Sequence, residues 1–299
     1  MQEQDWTAHG PLSDPGEHAA AFTGLPDDVA GLCAVVQGIL LHDHQGGLLY
    51  GPPPADFADQ PRTILPVRER LAAILARDGA PLGRARAPFE RSVGTCRDFA
   101  LTLTAMLRHK GVPARVRCGF AGYFGDGWED HWVCEYRAGD RWALADPQLD
   151  GAHRRHLAVA FDPADMPRDR FLCAWEAWHA IRQQGAAAEG FGHGDATGLW
   201  FVAVNLARDL HALAKRETSA WDGWRDAAAQ DRVLDAVRLR TAQAMADLAR
   251  NGVSGADVHE GGAGCWHPRH RAPAAPPPDA VRSPRGSGRL DPQGRVLRV

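Results

Sequence analysis

Three residues in one compact span, Cys96, His131 and Asp146, have the types that nucleophilic acyl chemistry needs. A sulfur attacks a carbonyl as thiolate, a histidine takes and returns the proton, and a carboxylate orients the ring. Cys96 stands in "GTCRDF", at the mouth of a helical pattern. Free backbone N–H groups and the macrodipole favour an anion there. Thr95 can serve as N-cap, with Asp98 at the third position in a capping-box-like arrangement. Taken alone, such a cysteine reads as a small buried hydrophobe. His131 in "DHWVCEY" and Asp146 in "RWALADPQLD" change that reading, because the short "AGD" between the two runs predicts a hairpin. A two-residue turn at Ala138-Gly139, or a four-residue one from Arg137 to Asp140, sets His131 directly opposite Asp146 on one face. Cross-strand Cβ atoms then lie ~4.5–5.5 Å apart, close enough for imidazole to meet carboxylate. A three-residue turn would shift the pairing by one and separate them. Singly, His131 also fits a strand histidine with a satisfied hydrogen bond, and Asp146 a turn former before Pro147.

The elements that must position these residues can be read from periodicity. Residues 1–25 lack a pattern and are expected to be a flexible N-terminus. Asp27 and Asp28 then open a helix carrying Val29, Leu32, Val36 and Leu40. "RTILPVRERLAAILARDGAPLG" predicts a second helix, ending at Gly79. The helix from Thr95 to about Lys110 shows Phe99, Leu103, Met106 and Leu107 on one face and stops at Gly111 before Pro113. The period then changes to two. Ala114, Val116, Cys118 and Phe120 alternate with Arg115, Arg117 and Gly119, predicting a strand with one face buried. Two further strands follow the glycine-rich "AGYFGDGWED". Helices return over residues 161–252. The order predicts an α+β fold: a cysteine-bearing helix packed on a three-strand antiparallel sheet, with flanking helices, as a single domain over 26–260.

The motifs "GTCRDFALTLTAMLRHKGVPARVRCGF", "DHWVCEY" and "RWALADPQLD" resemble the core of the transglutaminase-like superfamily, with its papain-like Cys-His-Asp fold, over roughly Arg91 to Asp150. "FDPADMPRDRF" and "GLWFVAVNLARDL" resemble a bacterial branch of it. In that family the cysteine begins a helix, the histidine begins a strand and the aspartate lies on the next. The resemblance implies a catalytic triad of Cys96, His131 and Asp146. It also implies transfer of acyl groups from peptides, amides or thioesters, through a cysteine thioester, to water or to an amine. The substrate-binding parts of protein-crosslinking transglutaminases are not recognisable. A catalytically silent binding or scaffold protein on the same fold is the alternative.

Such chemistry needs oxyanion donors. The Cys96 backbone N–H is the first, and the second is expected from Gln37, Trp132 or Tyr123. Gln37 is favoured as an amide inside an apolar helical face, which must find a partner if buried. The exposed side of that helix remains open to it.

No metal or cofactor is expected. His42-x-His44 and the group His259, Cys265, His267 and His270 follow no tight zinc pattern. Arg97 and Asp98 read as capping and ion-pair residues. Trp175, Trp178, Trp200, Trp221 and Trp224 are expected to pack the helical part, and Asn205 and Asp209 form a polar patch that either fixes a loop or meets substrate. The net charge of −3 divides into +5 over residues 266–299 and −8 over the remainder, so no nucleic-acid partner is expected of the body. Residues 266–299 are Pro/Arg-rich and expected to be a disordered tail. No secretory signal or bilayer-length apolar run is legible, which predicts a cytoplasmic address without a membrane partner and cysteines kept as free thiols. The sequence leaves oligomeric state open.

Overall fold

Around one long, buried helix the computed structural model describes residues 4–220 and 222–251. These fall within one unit, Met1–Trp266, and the second unit, His267–Val299, lies outside the described residues, as does the expected tail. The first helix, α1 (Val29–Ile39), is N-capped by the Asp28 carboxylate, which accepts from the Gly31 N–H at 2.7 Å. The chain then turns into a short strand, β1 (Leu40–His42), instead of continuing the helix through Leu40. A helix α2 (Gly46–Tyr50) and a second long helix α3 (Val67–Arg77) follow. Next comes β2 (Ser92–Gly94), which pairs in parallel with β1 and runs directly into α4 (Cys96–His109). Every residue of α4 from Cys96 to Arg108 is buried, because the helix has α1 on one side and the sheet on the other.

That sheet contains β3 (Ala114–Ala121), β4 (Trp128–Ala138), β5 (Arg141–Ala145), β6 (Phe171–Cys173), β7 (Phe191–His193) and β8 (Ala196–Thr197). Its order is β6-β3-β4-β7-β8, with β5 also on β4, so the expected three-strand block is the centre of six strands. After β5 the chain forms α5 (Gly151–His156). The C-terminal part is α6 (Ala174–Gln184), α7 (Leu199–Leu213), α8 (Gly223–Ala229) and α9 (Ala236–Asn251). The expectation that β3 buries one face is corrected: seven of its eight residues are buried, since α4 and α7 both pack on it. Trp178 and Trp200 sit in the core of the helical part with Trp175 and Trp224 against them, while Trp221 lies outside the described residues.

The N-terminal expectation is also corrected. From Gln4 onward the segment docks through its backbone and two aromatic rings, signals that carry no periodicity. Phe22 joins the main core, the Ala114 N–H donates to the Trp6 carbonyl at 3.1 Å, and Arg108 donates to the Ser13 hydroxyl at 2.8 Å. No helix among the described residues is long and apolar enough to cross a membrane.

The hairpin register decides the geometry of the site. β4 and β5 pair from Cys134↔Ala145 to Ala138↔Arg141, leaving a two-residue turn at Gly139-Asp140 with Gly139 at φ 61°. The turn lies one residue further along than the sequence suggested, so the register moves by two. His131 and Asp146 are therefore diagonal and not directly opposite. A shift of two preserves the face, and diagonal neighbours remain within reach of long side chains.

Candidate active site

The turn that presents Cys96 is held from beneath by charge. The Asp98 carboxylate accepts from the Thr95 N–H at 2.8 Å and from the Thr95 hydroxyl at 3.3 Å. The capping box is thus half made, since the Thr95 hydroxyl donates where the full motif has it accept. Asp98 also pairs with Arg97 at 3.0 Å and Arg70 at 3.1 Å. These two buried guanidinium groups anchor neighbouring segments: Arg70 donates to the Val93 carbonyl at 2.8 Å, and Arg97 to the Leu65 and Glu217 carbonyls at 2.7 and 2.8 Å. A Cβ at Gly94 would come within 3.0 Å of the Asp98 side chain, which accounts for the glycine before Thr95. Arg97 and Asp98 are the ion-pair and capping residues expected.

His131 is 2% exposed and Asp146 fully buried, with His131 Nε2 2.8 Å from Asp146 Oδ2. Cys96 lines the same cleft as His131, and its sulfur acts on the ring in favour of the charged form. Burial by itself would push the His131 imidazolium down. The Asp146 charge and hydrogen bond, then the Cys96 sulfur, overcome burial and raise it to about 10. In the same pair Asp146 is held below the usual carboxylate range: burial works against this, but His131, the Tyr123 hydroxyl and the Gln148 N–H favour the charge. Tyr123 donates to Asp146 Oδ2 at 2.6 Å and the Gln148 N–H to Oδ1 at 2.9 Å, so neither carboxylate oxygen is without a donor. The Phe124 ring stands edge-on to His131 at 4.9 Å.

Cys96 and His131 line a cleft of about 290 Å³. His42, Gln45, Gln148 and His153 form one polar wall, with Leu48, Leu49, Phe124 and Leu157 supplying apolar surface. Gln45 ties that wall together, its Oε1 accepting from Gln148 Nε2 at 2.7 Å and facing His153 Nε2 at 2.9 Å. On the far side Asp130 is held by Asn205 Nδ2 at 2.8 Å and Arg208 at 3.4 Å. Burial raises its carboxyl against the pull of Arg208.

The structure brings together Cys96, His131 and Asp146, and none of the side chains expected as oxyanion donors lines their cleft. Gln37 is partly buried on α1 and is not among the cleft-lining residues; the helical face it occupies turns elsewhere. Trp132 is fully buried in the core and likewise absent from the cleft wall. Tyr123 is committed to Asp146. The Asn205/Asp209 patch is structural: Asp209 holds Arg117 with bonds of 3.0 and 2.7 Å and the Cys118 N–H at 2.9 Å, while Asn205 supports Asp130. His42 and His44 have rings 6.4 Å apart, and no His/Cys/Asp/Glu group among the described residues can hold a metal. His259, Cys265, His267 and His270 lie outside the described residues. Sequence reasoning missed Gln148 and His153, which sit just past Asp146, and gave His42 the wrong context.

Comparison with known proteins matches residues 67–147 to the family model of the Transglutaminase-like superfamily. Among solved structures, a "Putative Cysteine Protease" from Cytophaga hutchinsonii is similar at 15% identity and a TM-score of 0.26, over 48% of this chain and 40% of that one. The chain therefore spans about two fifths of that protein's length. No curated protein matches. The matched span runs from α3 to the turn after β5 and contains Cys96, His131 and Asp146, so it is over this core that the chain is similar to the transglutaminase-like superfamily.

Proposed function

We propose that the protein is a cysteine-dependent acyl-transfer enzyme. The observation that carries this reading is that Cys96 and His131 line one cleft while buried Asp146 holds the His131 ring at 2.8 Å, where its charge favours the imidazolium. In the proposed reaction the Cys96 thiolate attacks an amide or thioester carbonyl. The C–S bond forms and the carbonyl pair moves onto oxygen. The tetrahedral centre then collapses, the bond to the leaving group breaks, and that group takes its proton from His131. This leaves a thioester on Cys96. Water or an amine, deprotonated by the now neutral His131, attacks the thioester and releases the acyl group, so hydrolysis and transfer share every step up to the acceptor. Asp146 keeps the ring oriented and stabilises its charge.

An activated ester tests this without knowledge of the natural donor. With p-nitrophenyl acetate, wild-type protein is expected to release a burst of p-nitrophenolate and to carry one acetyl group on Cys96 by intact-mass and peptide mapping. Cys96→Ala is expected to lose both. A wild type that acetylates no faster than Cys96→Ala would instead make the protein a silent member of its fold.

A further inference from the structure

The proposed chemistry needs a second donor to the developing oxyanion, and the residues expected from sequence do not reach the cleft. One side chain there is in place for it. His42 ends β1, and the parallel ladder pairs it with Gly94, two residues before Cys96; the Asp43 N–H donates to the Gly94 carbonyl at 2.9 Å and closes the ladder. The imidazole therefore stands over the first turn of α4, its ring 6.5 Å from that of Phe99, and lines the same cleft as Cys96 and His131. Its Nδ1 is buried with no hydrogen-bond partner among the described residues, an unmet polar atom in the cleft wall.

We propose that His42, together with the Cys96 backbone N–H, forms the oxyanion hole, donating a ring N–H to the carbonyl oxygen as Cys96 adds to it. This rests on the reading of Cys96 as the nucleophile. The backbone N–H is available because the first N–H groups of a helix have no intrahelical acceptor. His42 is suited to hydrogen-bond donation without proton transfer. Burial first, then the charges of His131, His44 and His153, hold its imidazolium down to about 3, so the ring is a neutral donor throughout the working range. Asp146 acts in the opposite direction but is committed to His131. Two histidines in one cleft are thus pushed apart: one stays charged as proton carrier and the other stays neutral as donor. No atom is transferred at His42; it accepts no proton and returns none.

The test separates addition to a carbonyl from attack on a saturated carbon. Acetylation by p-nitrophenyl acetate passes through an oxyanion, whereas alkylation by iodoacetamide does not. His42→Phe, which keeps ring bulk and removes the donor, is expected to slow acetylation of Cys96 by about 10²–10³-fold while alkylation changes by less than about threefold. His42→Gln, a neutral donor of different reach, is expected to recover part of the lost acetylation rate. Equal acetylation by His42→Phe and wild type would overturn the assignment, and so would a parallel fall in both reactions, which would mean that His42 acts on the sulfur and not on the oxyanion. If wild type itself shows no Cys96-dependent acetylation, the nucleophile assignment fails first, and the result is distinct from either.

Discussion

Asp146→Asn is expected to lower the rate of Cys96 acetylation by about 10⁴-fold, the order seen when the orienting carboxylate of such a triad becomes an amide. The argument starts from burial. His131 is raised to about 10 because the Asp146 charge outweighs the desolvation that would otherwise pull the ring below its ordinary 6.5. Removing that charge leaves burial dominant, so the proton needed by the leaving group is lost at neutral pH. The alkaline limb of the acetylation profile is expected near 10 in wild type and below about 6.5 in the variant. Stability follows the same groups. The raised His131 contributes stability that is complete below 6.5 and lost as pH rises through about 10. The depressed Asp146 contributes stability present above 3.8 and lost as pH falls below it. The stability gap between wild type and variant is therefore expected to be widest between 3.8 and 6.5 and to close toward 10. Denaturant unfolding across that range checks the sign. A gap that widened with alkali would contradict the assigned charges.

Asp209→Ala is expected to cost about 3–5 kcal/mol, because it leaves a buried guanidinium without its main partner. Arg117 is buried beneath α7 and relies on two oxygens of Asp209, with Glu135 at 3.0 Å as its other carboxylate. Glu135 is already shared with Arg115 at 2.7 Å and Arg168 at 2.7 Å, and these charges together hold it down to about 2 against its burial. It has no spare charge to neutralise Arg117. The same substitution frees the Cys118 N–H and loosens α7 from β3. A fall in Tm of roughly 10 °C is expected for a domain of this size. Cys96 alkylation measured well below the new Tm is expected to stay within about threefold of wild type, since Asp209 does not line the cleft. A large loss of reactivity with little loss of Tm would move Asp209 from scaffold to site.

Long elements with strong periodicity were legible. α4 begins and ends within a residue of the boundaries its capping and Gly111 imply, because its apolar face and its stop signal agree. The hairpin was legible in kind but not in register: "RAGD" admits more than one turn, and Gly139 selected the tighter geometry at Gly139-Asp140. The three-residue strands β1, β2, β6 and β7 carry too few residues for a period of two, and β1 continues an apolar helical run without a break. For that reason His42 read as half of a His-x-His pair, although pairing with β2 is what carries it to the segment before Cys96. Gln37 was misplaced because composition does not say which side of α1 meets the cleft. The N-terminal segment was missed because backbone-to-side-chain docking, as at Ser13 and Trp6, has no sequence period.

The central claim, that Cys96 is an activated nucleophile paired with His131, is tested most directly by competitive alkylation at about pH 6, where an ordinary thiol is almost wholly protonated. The other described cysteines are poor competitors: burial pushes Cys33, Cys118 and Cys173 well up and Cys134 to about 12. With limiting iodoacetamide and peptide mapping, Cys96 is expected to react at least about tenfold faster than any other cysteine in wild type, and to lose that advantage in His131→Ala. Equal labelling of all thiols in wild type, or a Cys96 rate unchanged in His131→Ala, would contradict the account.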